Sequence, residues 1–208
     1  MANWPLSDHP LPPMAPIQPL KASDIPFIFP QIHSFPPFFS LQPNLQTRTS
    51  QLRRWSRLIQ RYCRHNHIFK LSLTSALDTP LFKNTELRKR LSLHDAWEVI
   101  DWMTREEGGM RAEWIERGKD GGGEKGGTFW VFWKRPEEWG DVLAEWVEEV
   151  GQKNTVLTLY ELREGDMTSG REFYGMDGEL FQRSLNVLVK KGKAQIFGSE
   201  DQQGVKFF

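Results

Sequence analysis

The sequence has a single cysteine, Cys63, among 208 residues, so no disulfide can form within the chain and a reducing compartment is the natural setting. It has no excess of either charge, because Lys plus Arg number 27 and Asp plus Glu number 27. Net charge therefore draws it neither to nucleic acid nor to an anionic bilayer, and the repulsion that keeps proteins apart in solution is weak. No apolar run approaches the roughly 18 residues of a membrane span, and no basic segment followed by an apolar stretch opens the chain. A soluble, intracellular protein without a signal peptide is expected. Catalytic signatures are also missing: there is no G-x-S-x-G, no H-E-x-x-H and no Walker loop. The carboxylates alternate with Arg and Lys as they do on solvated helix faces. A protein that is not an enzyme, with no cofactor and no metal, is the expectation.

What the chain has in excess is aromatic surface. Nine Trp and fourteen Phe are many for this length. Small domains cannot bury them all alone, which points to surface buried against partners.

Proline is concentrated in residues 1–43, where Asp8, Lys21 and Asp24 are the only charged side chains. Proline fixes its own φ and biases its predecessor to extended backbone, so this tail is expected to be extended and polyproline-like. Its run Phe35-Pro36-Pro37-Phe38-Phe39 places aromatics in a segment with no core of its own. A Pro-Pro step pre-sets an extended backbone and flanking aromatics anchor in pockets, which is the build of a docking peptide.

From Gln46 the pattern turns helical: Leu52, Trp55, Ile59, Tyr62 and Cys63 predict a helix ending near Asn66. A strand follows at Phe69–Leu73, then a short helix from Leu81 to Leu91. Ser92 opens a third helix carrying Ala96, Val99, Ile100 and Met103, stopped by Gly108-Gly109. Ala112–Glu116 and Thr128–Trp133 read as a hairpin around a glycine-rich tip, Gly118–Gly127. The order recurs after Trp133. Pro136 starts a helix with Trp139, Val142, Leu143, Trp146 and Val150. Val156-Leu157 is extended and Leu159–Arg163 is a short helix. Asp177 begins a helix with Leu180, Phe181, Leu185, Leu188 and Val189. Ala194–Phe197 and Val205–Phe208 close a hairpin around Gly198–Gly204. Helix, strand, helix, helix, hairpin is the winged-helix order. The expected fold is α+β: an extended Pro-rich tail at 1–43, then winged-helix domains at 44–134 and 135–208.

Several local patterns invite chemistry. Gly121, Gly123 and Gly126 satisfy G-x-G-x-x-G, but a strand follows where a dinucleotide site needs a helix, so a hairpin tip is expected. Cys63, His65 and His67 suggest metal, yet only Cys63 and His67 share a helix face and no second pair completes four ligands. A winged-helix nucleic-acid-binding protein is the alternative function. Against it, the third helix carries Asp95, Glu98 and Asp101, followed by Glu106 and Glu107, beside His94 and Arg105, and would be repelled by phosphates. The basic residues gather instead on the first helix, at Arg48, Arg53, Arg54, Arg57, Arg61 and Arg64. That stripe is either a solvated face or a surface for acidic lipid or protein.

Longer motifs carry a resemblance. FPPFFSLQPNLQTR at Phe35–Arg48, TPLFKN at Thr79–Asn84, WKRPEEWG at Trp133–Gly140 and TLYELREGD at Thr158–Asp166 stand in this order. REFYGMD at Arg171–Asp177 and GVKFF at Gly204–Phe208 follow. Together they resemble the small-subunit family of the endosomal sorting complex ESCRT-II over Phe35–Phe208. Residues 1–34 and the glycine-rich loop depart from that pattern. The resemblance implies winged-helix domains that do not bind DNA. It implies that two copies of such a chain join two larger subunits, docking through Phe35, Pro36, Pro37, Phe38 and Phe39. It implies that the second domain recruits and activates the first ESCRT-III subunit, in multivesicular-body sorting of ubiquitinated cargo. The protein would be cytoplasmic and peripheral to endosomal membranes. A basic residue on the second helix of the first domain meets an acidic partner residue in this family. Lys89 holds that place, and a lysine cannot give the bidentate pair of an arginine.

Overall fold

The computed structural model describes residues 26–117, 127–198 and 203–208. The tail before Pro26, the hairpin tip Gly118–Gly126 with its G-x-G-x-x-G, and the turn at 199–202 lie outside the described residues.

Helix α1 (Leu45–His65) starts where the Asn44 side chain accepts a hydrogen bond from the Thr47 N–H at 3.0 Å. Its apolar stripe buries Leu52, Trp55, Leu58, Ile59 and Cys63. Burial pushes the Cys63 thiol up to about 12. Native Cys63 is therefore expected to resist a thiol reagent at pH 8 and to react promptly once denaturant unfolds the chain; fast labelling of the folded protein would contradict this placement.

Strand β1 (Lys70–Ser72) and the single-turn helix α2 (Leu73–Ala76) follow. The helix expected over Leu81–Leu91 is not there. Instead β2 (Lys83–Asn84) and β3 (Lys89–Arg90) form a small antiparallel hairpin. In a helix, Phe82 and Leu91 would lie two and a half turns apart and face opposite ways. The hairpin brings them together, with the Leu91 N–H donating to the Phe82 carbonyl at 2.9 Å, and buries Leu81, Phe82 and Leu91 completely.

Helix α3 (Leu93–Thr104) is capped by the Ser92 hydroxyl, which accepts from the Asp95 N–H at 3.0 Å. A 3-10 turn at Glu106–Gly108 ends this region. Any side chain at Gly108 would set its Cβ 2.1 Å from the Trp102 carbonyl oxygen, so only glycine fits.

Strands β4 (Ala112–Glu116) and β5 (Thr128–Val131) complete an antiparallel sheet in the order β1-β5-β4. The chain then repeats its plan with α4 (Pro136–Glu149), β6 (Val156–Thr158), α5 (Leu159–Glu164), α6 (Gly178–Lys190), β7 (Ala194–Phe197) and β8 (Gly204–Phe207). The second sheet has the matching order β6-β8-β7. The mixed helix-and-sheet class expected from the sequence holds.

The two halves share a wall. Along β5 and the residue after it, side chains alternate between cores. Phe129 and Val131 lie in the first cluster, with Trp55, Ile59 and Val99. Trp130 and Phe132 lie in the second, with Phe69, Trp139 and Leu180. Trp130 is held between Lys70 and Arg183, whose cationic groups sit 4.1 Å and 5.4 Å from its ring centroid. Arg111 donates two hydrogen bonds to the Glu138 carboxylate, at 2.7 and 3.2 Å, tying the start of β4 to α4. Burial acts to raise the Glu138 carboxyl, but hydrogen bonds from Arg111 and from the Arg135 N–H carry it below its ordinary value.

Candidate partner-docking surface

The described part of the Pro-rich segment, from Pro26, does not run free. Residues Gln31–Ser34 and Pro36–Phe39 form 3-10 turns, the first set against Leu81 and Asn84 through His33 and the second packed on α1 through Phe38, correcting the expectation of an extended tail at this point. Phe38 and Phe39 lie in the first core rather than on the surface. The Phe38 ring stacks on Trp55 at 4.2 Å between centroids and 9° between planes, and Phe39 meets the same indole edge-on at 5.8 Å.

The backbone of the motif is clamped as firmly. The Trp55 indole N–H donates to the Phe38 carbonyl at 3.1 Å. The Gln51 amide donates to the carbonyls of Pro37, Phe38 and Ser40 at 3.2, 2.9 and 2.9 Å. Its oxygen accepts from the Gln42 N–H at 3.1 Å. Carbonyls in a proline-rich turn have no strand partner, and this buried amide satisfies them. Upstream, His33 is buried and stacks on Phe29 at 4.2 Å, with its Nε2 3.3 Å from the Leu81 carbonyl. Burial holds the imidazole below its usual value, against backbone contacts with Leu81 and Pro80 that act the other way.

The motif therefore splits. Phe38 and Phe39 point inward, whereas Phe35, Pro36 and Pro37 are exposed, Phe35 at 53%. Phe35 and Pro37 border an open groove of about 390 Å³ whose other side is α1, at Gln46, Ser50 and Arg54. The five residues do not act as one exposed peptide. They form a presented ridge with its own anchor.

Lys89 sits on β3, not on a helix, and its side chain is exposed. Strand β3 lies against the Pro36–Phe39 turn, so Lys89 belongs to the same region of surface as the motif. Gln51 and His33 were missed from sequence. The available signal was Gln51 itself, a polar residue one turn before Trp55 in the buried stripe of α1.

The acids of α3 are turned to internal use. Glu98 pairs with Arg48 of α1, whose Nε donates to it at 2.7 Å. Asp101 is buried and paired with Arg105 and with Arg117, the latter at 2.6 Å. Cys63 is fully buried, and no three His, Cys, Asp or Glu side chains gather as a metal set among the described residues.

Comparison with known proteins agrees with the resemblance read from the motifs. A family model for the ESCRT-II complex subunit matches residues 32–177. Vacuolar protein-sorting-associated protein 25 of Xenopus laevis is 41% identical, across 88% of this chain and 99% of that protein. The protein of the same name from Homo sapiens is 38% identical, across 88% of this chain and 98% of its own length. A crystal structure of subunit VPS25 of the endosomal trafficking complex ESCRT-II superposes with a TM-score of 0.71 at 28% identity, covering 86% of this chain and 98% of that one. A chain of the endosomal complex ESCRT-II (VPS22/VPS25/VPS36) superposes with a TM-score of 0.70, again at 28% identity over 86% and 98%. On this agreement of motif, sequence and fold, the chain belongs to the ESCRT-II complex subunit family.

Proposed function

We propose that this chain is a non-enzymatic assembly subunit of an ESCRT-II complex, built from two winged-helix units at about 44–134 and 135–208. Two copies join two larger subunits, the counterparts of VPS22 and VPS36 in the related complex. The complex acts in multivesicular-body sorting of ubiquitinated cargo, in the cytoplasm and peripherally at endosomal membranes. The observation that carries this reading is the Phe35-Pro36-Pro37 ridge, exposed on a turn that Phe38, Phe39 and Gln51 hold in place. A docking element already ordered loses little entropy on binding. Lys89, on the adjoining strand, supplies a positive charge for an acidic partner residue. The second unit recruits and activates the first ESCRT-III subunit. Its exposed apolar side chains Tyr160 and Met167, at 67% and 55%, support a further contact there.

The test is reconstitution with the two larger subunits. Phe35→Ala should weaken assembly by about 30-fold or more, as loss of an aromatic anchor costs on the order of 2 kcal/mol. The unfolding temperature should not move, because the side chain is exposed. Undiminished assembly in titration calorimetry would remove the ridge from the interface.

A further inference from the structure

Helix α1 presents a cationic face that the fold does not neutralise. Arg53, Arg54, Arg57, Arg61 and Arg64 fall within an arc of about 100°, and all are exposed. Arg64 reaches Glu172 at 2.8 Å. Arg53, Arg54, Arg57 and Arg61 have no carboxylate within 4.0 Å among the described residues. Other surface cations are bridged, as Arg171 is to Glu149, Arg183 to Glu113 and Lys191 to Asp141, and the exposed ones without a bridge, such as Lys83, Arg88 and Lys193, do not form a row along one helix. Arg53, Arg57 and Arg61 recur every four residues, a spacing at which like charges repel along a helix. No internal partner compensates that repulsion.

A second feature adjoins the row. Ile28 is 80% exposed. It is held there by Phe27, which packs on Tyr62 at 5.2 Å and on His65 at 5.4 Å. Ile28, Arg61 and Arg64 line one open groove of about 500 Å³ beside α1. A basic row flanked by a protruding aliphatic side chain is the composition of surfaces that lie on anionic bilayers. None of the described helices is long and apolar enough to cross a membrane.

We propose that the Arg53–Arg57–Arg61 face of α1, with Ile28 beside it, is a contact surface for anionic lipid headgroups. The inference rests on the membrane-peripheral reading above and names the elements of this chain that would serve it. A bilayer suits the face better than an acidic protein segment does. The one carboxylate lining the groove, Glu172, is bridged by Arg64 and Lys134, and the exposed Ile28 offers an aliphatic contact that an acidic segment does not use. A lipid surface needs only charge density and an apolar toehold. Because the whole chain carries formal net charge zero, attraction to an anionic surface must come from a local asymmetry such as this one.

The experiment is flotation of the full-length chain with phosphatidylcholine vesicles, with and without phosphatidylserine. Binding should require phosphatidylserine and weaken as salt rises. Arg53→Gln/Arg57→Gln/Arg61→Gln should reduce vesicle affinity by about fivefold per arginine, roughly a hundredfold in all. Glutamine keeps helix propensity, so circular dichroism should be unchanged. Replacing the same three by lysine should retain binding, since a bilayer reads charge rather than the guanidinium fork. Lys190→Gln/Lys191→Gln/Lys193→Gln changes net charge equally and should bind as the parent does. No binding to phosphatidylserine vesicles, or equal loss in both glutamine variants, overturns the proposal. So does an arginine variant that floats normally but no longer joins the larger subunits, which would assign the face to an acidic protein surface. Assembly measured on the same preparations, with Phe35→Ala as reference, keeps failure here separate from failure of the docking reading.

Discussion

Phe38→Ala is expected to lower the stability of the isolated chain by about 3–5 kcal/mol and its melting temperature by about 8–15 °C. The side chain is 2% exposed and lies flat on Trp55, so its removal leaves a cavity against the largest residue of the first core. It also loosens the turn whose carbonyls Gln51 and Trp55 hold. Phe35→Ala, three residues earlier in the same motif, should leave the melting temperature alone and act on assembly. Differential scanning calorimetry of the two variants separates anchor from ridge. Were Phe38 a partner anchor in an open tail, its loss would leave the free chain as stable as before. An unchanged transition for Phe38→Ala would restore that picture.

A fragment ending at Lys134 should fail to fold cooperatively. Truncation there uncovers Phe69, Trp130 and Phe132, which are 6%, 0% and 4% exposed in the intact chain. Burying such side chains contributes roughly 2–3 kcal/mol each. Their sum approaches the whole stability of an ordinary domain. The cut also removes Glu138 from Arg111 and Asp177 from Lys70. The fragment should bind a hydrophobic dye and show a broad, non-cooperative melt. A sharp two-state transition at native-like temperature would show that the first half stands alone. The proposed roles in assembly and recruitment are therefore better separated by surface substitutions than by truncation.

The helices were legible because their signals are local. Ser92 and Asp177 cap, Pro136 enters at a first turn, and apolar residues recur along α1, α4 and α6 at the helical period. The FPPFF motif read as a docking element, and the structure exposes its Phe35, Pro36 and Pro37 while burying Phe38 and Phe39. What escaped depends on distant partners. Nothing near Phe38 announces Trp55 as its stacking surface, and proline content argues for extension where a core indole imposes a turn. The bridge pairing Lys83 and Asn84 with Arg90 and Lys89 is too short to show any alternation, so Leu81 to Leu91 read as a short helix. The run Thr128–Trp133 read as a hairpin strand, but an unbroken apolar run also means both faces are covered. Only the second half, arriving later in the chain, supplies the other cover.

The alternation of β5 between two cores also sets a geometry for whatever the chain carries. Phe129 and Trp130 are consecutive, yet each is sealed into a different half of the molecule. With no flexible tether between the halves, a ligand held at Phe35 and one held near α5 stand at a single fixed separation and orientation. A flexible linker would sample many separations and dilute the second binding event as it lengthened. Here the effective concentration is decided by rigid geometry. It is high for an arrangement that spans both sites and negligible for one that does not. If the proposed contacts at Phe35 and α5 both form, the chain selects assemblies by distance, a form of specificity that no side chain at either site provides.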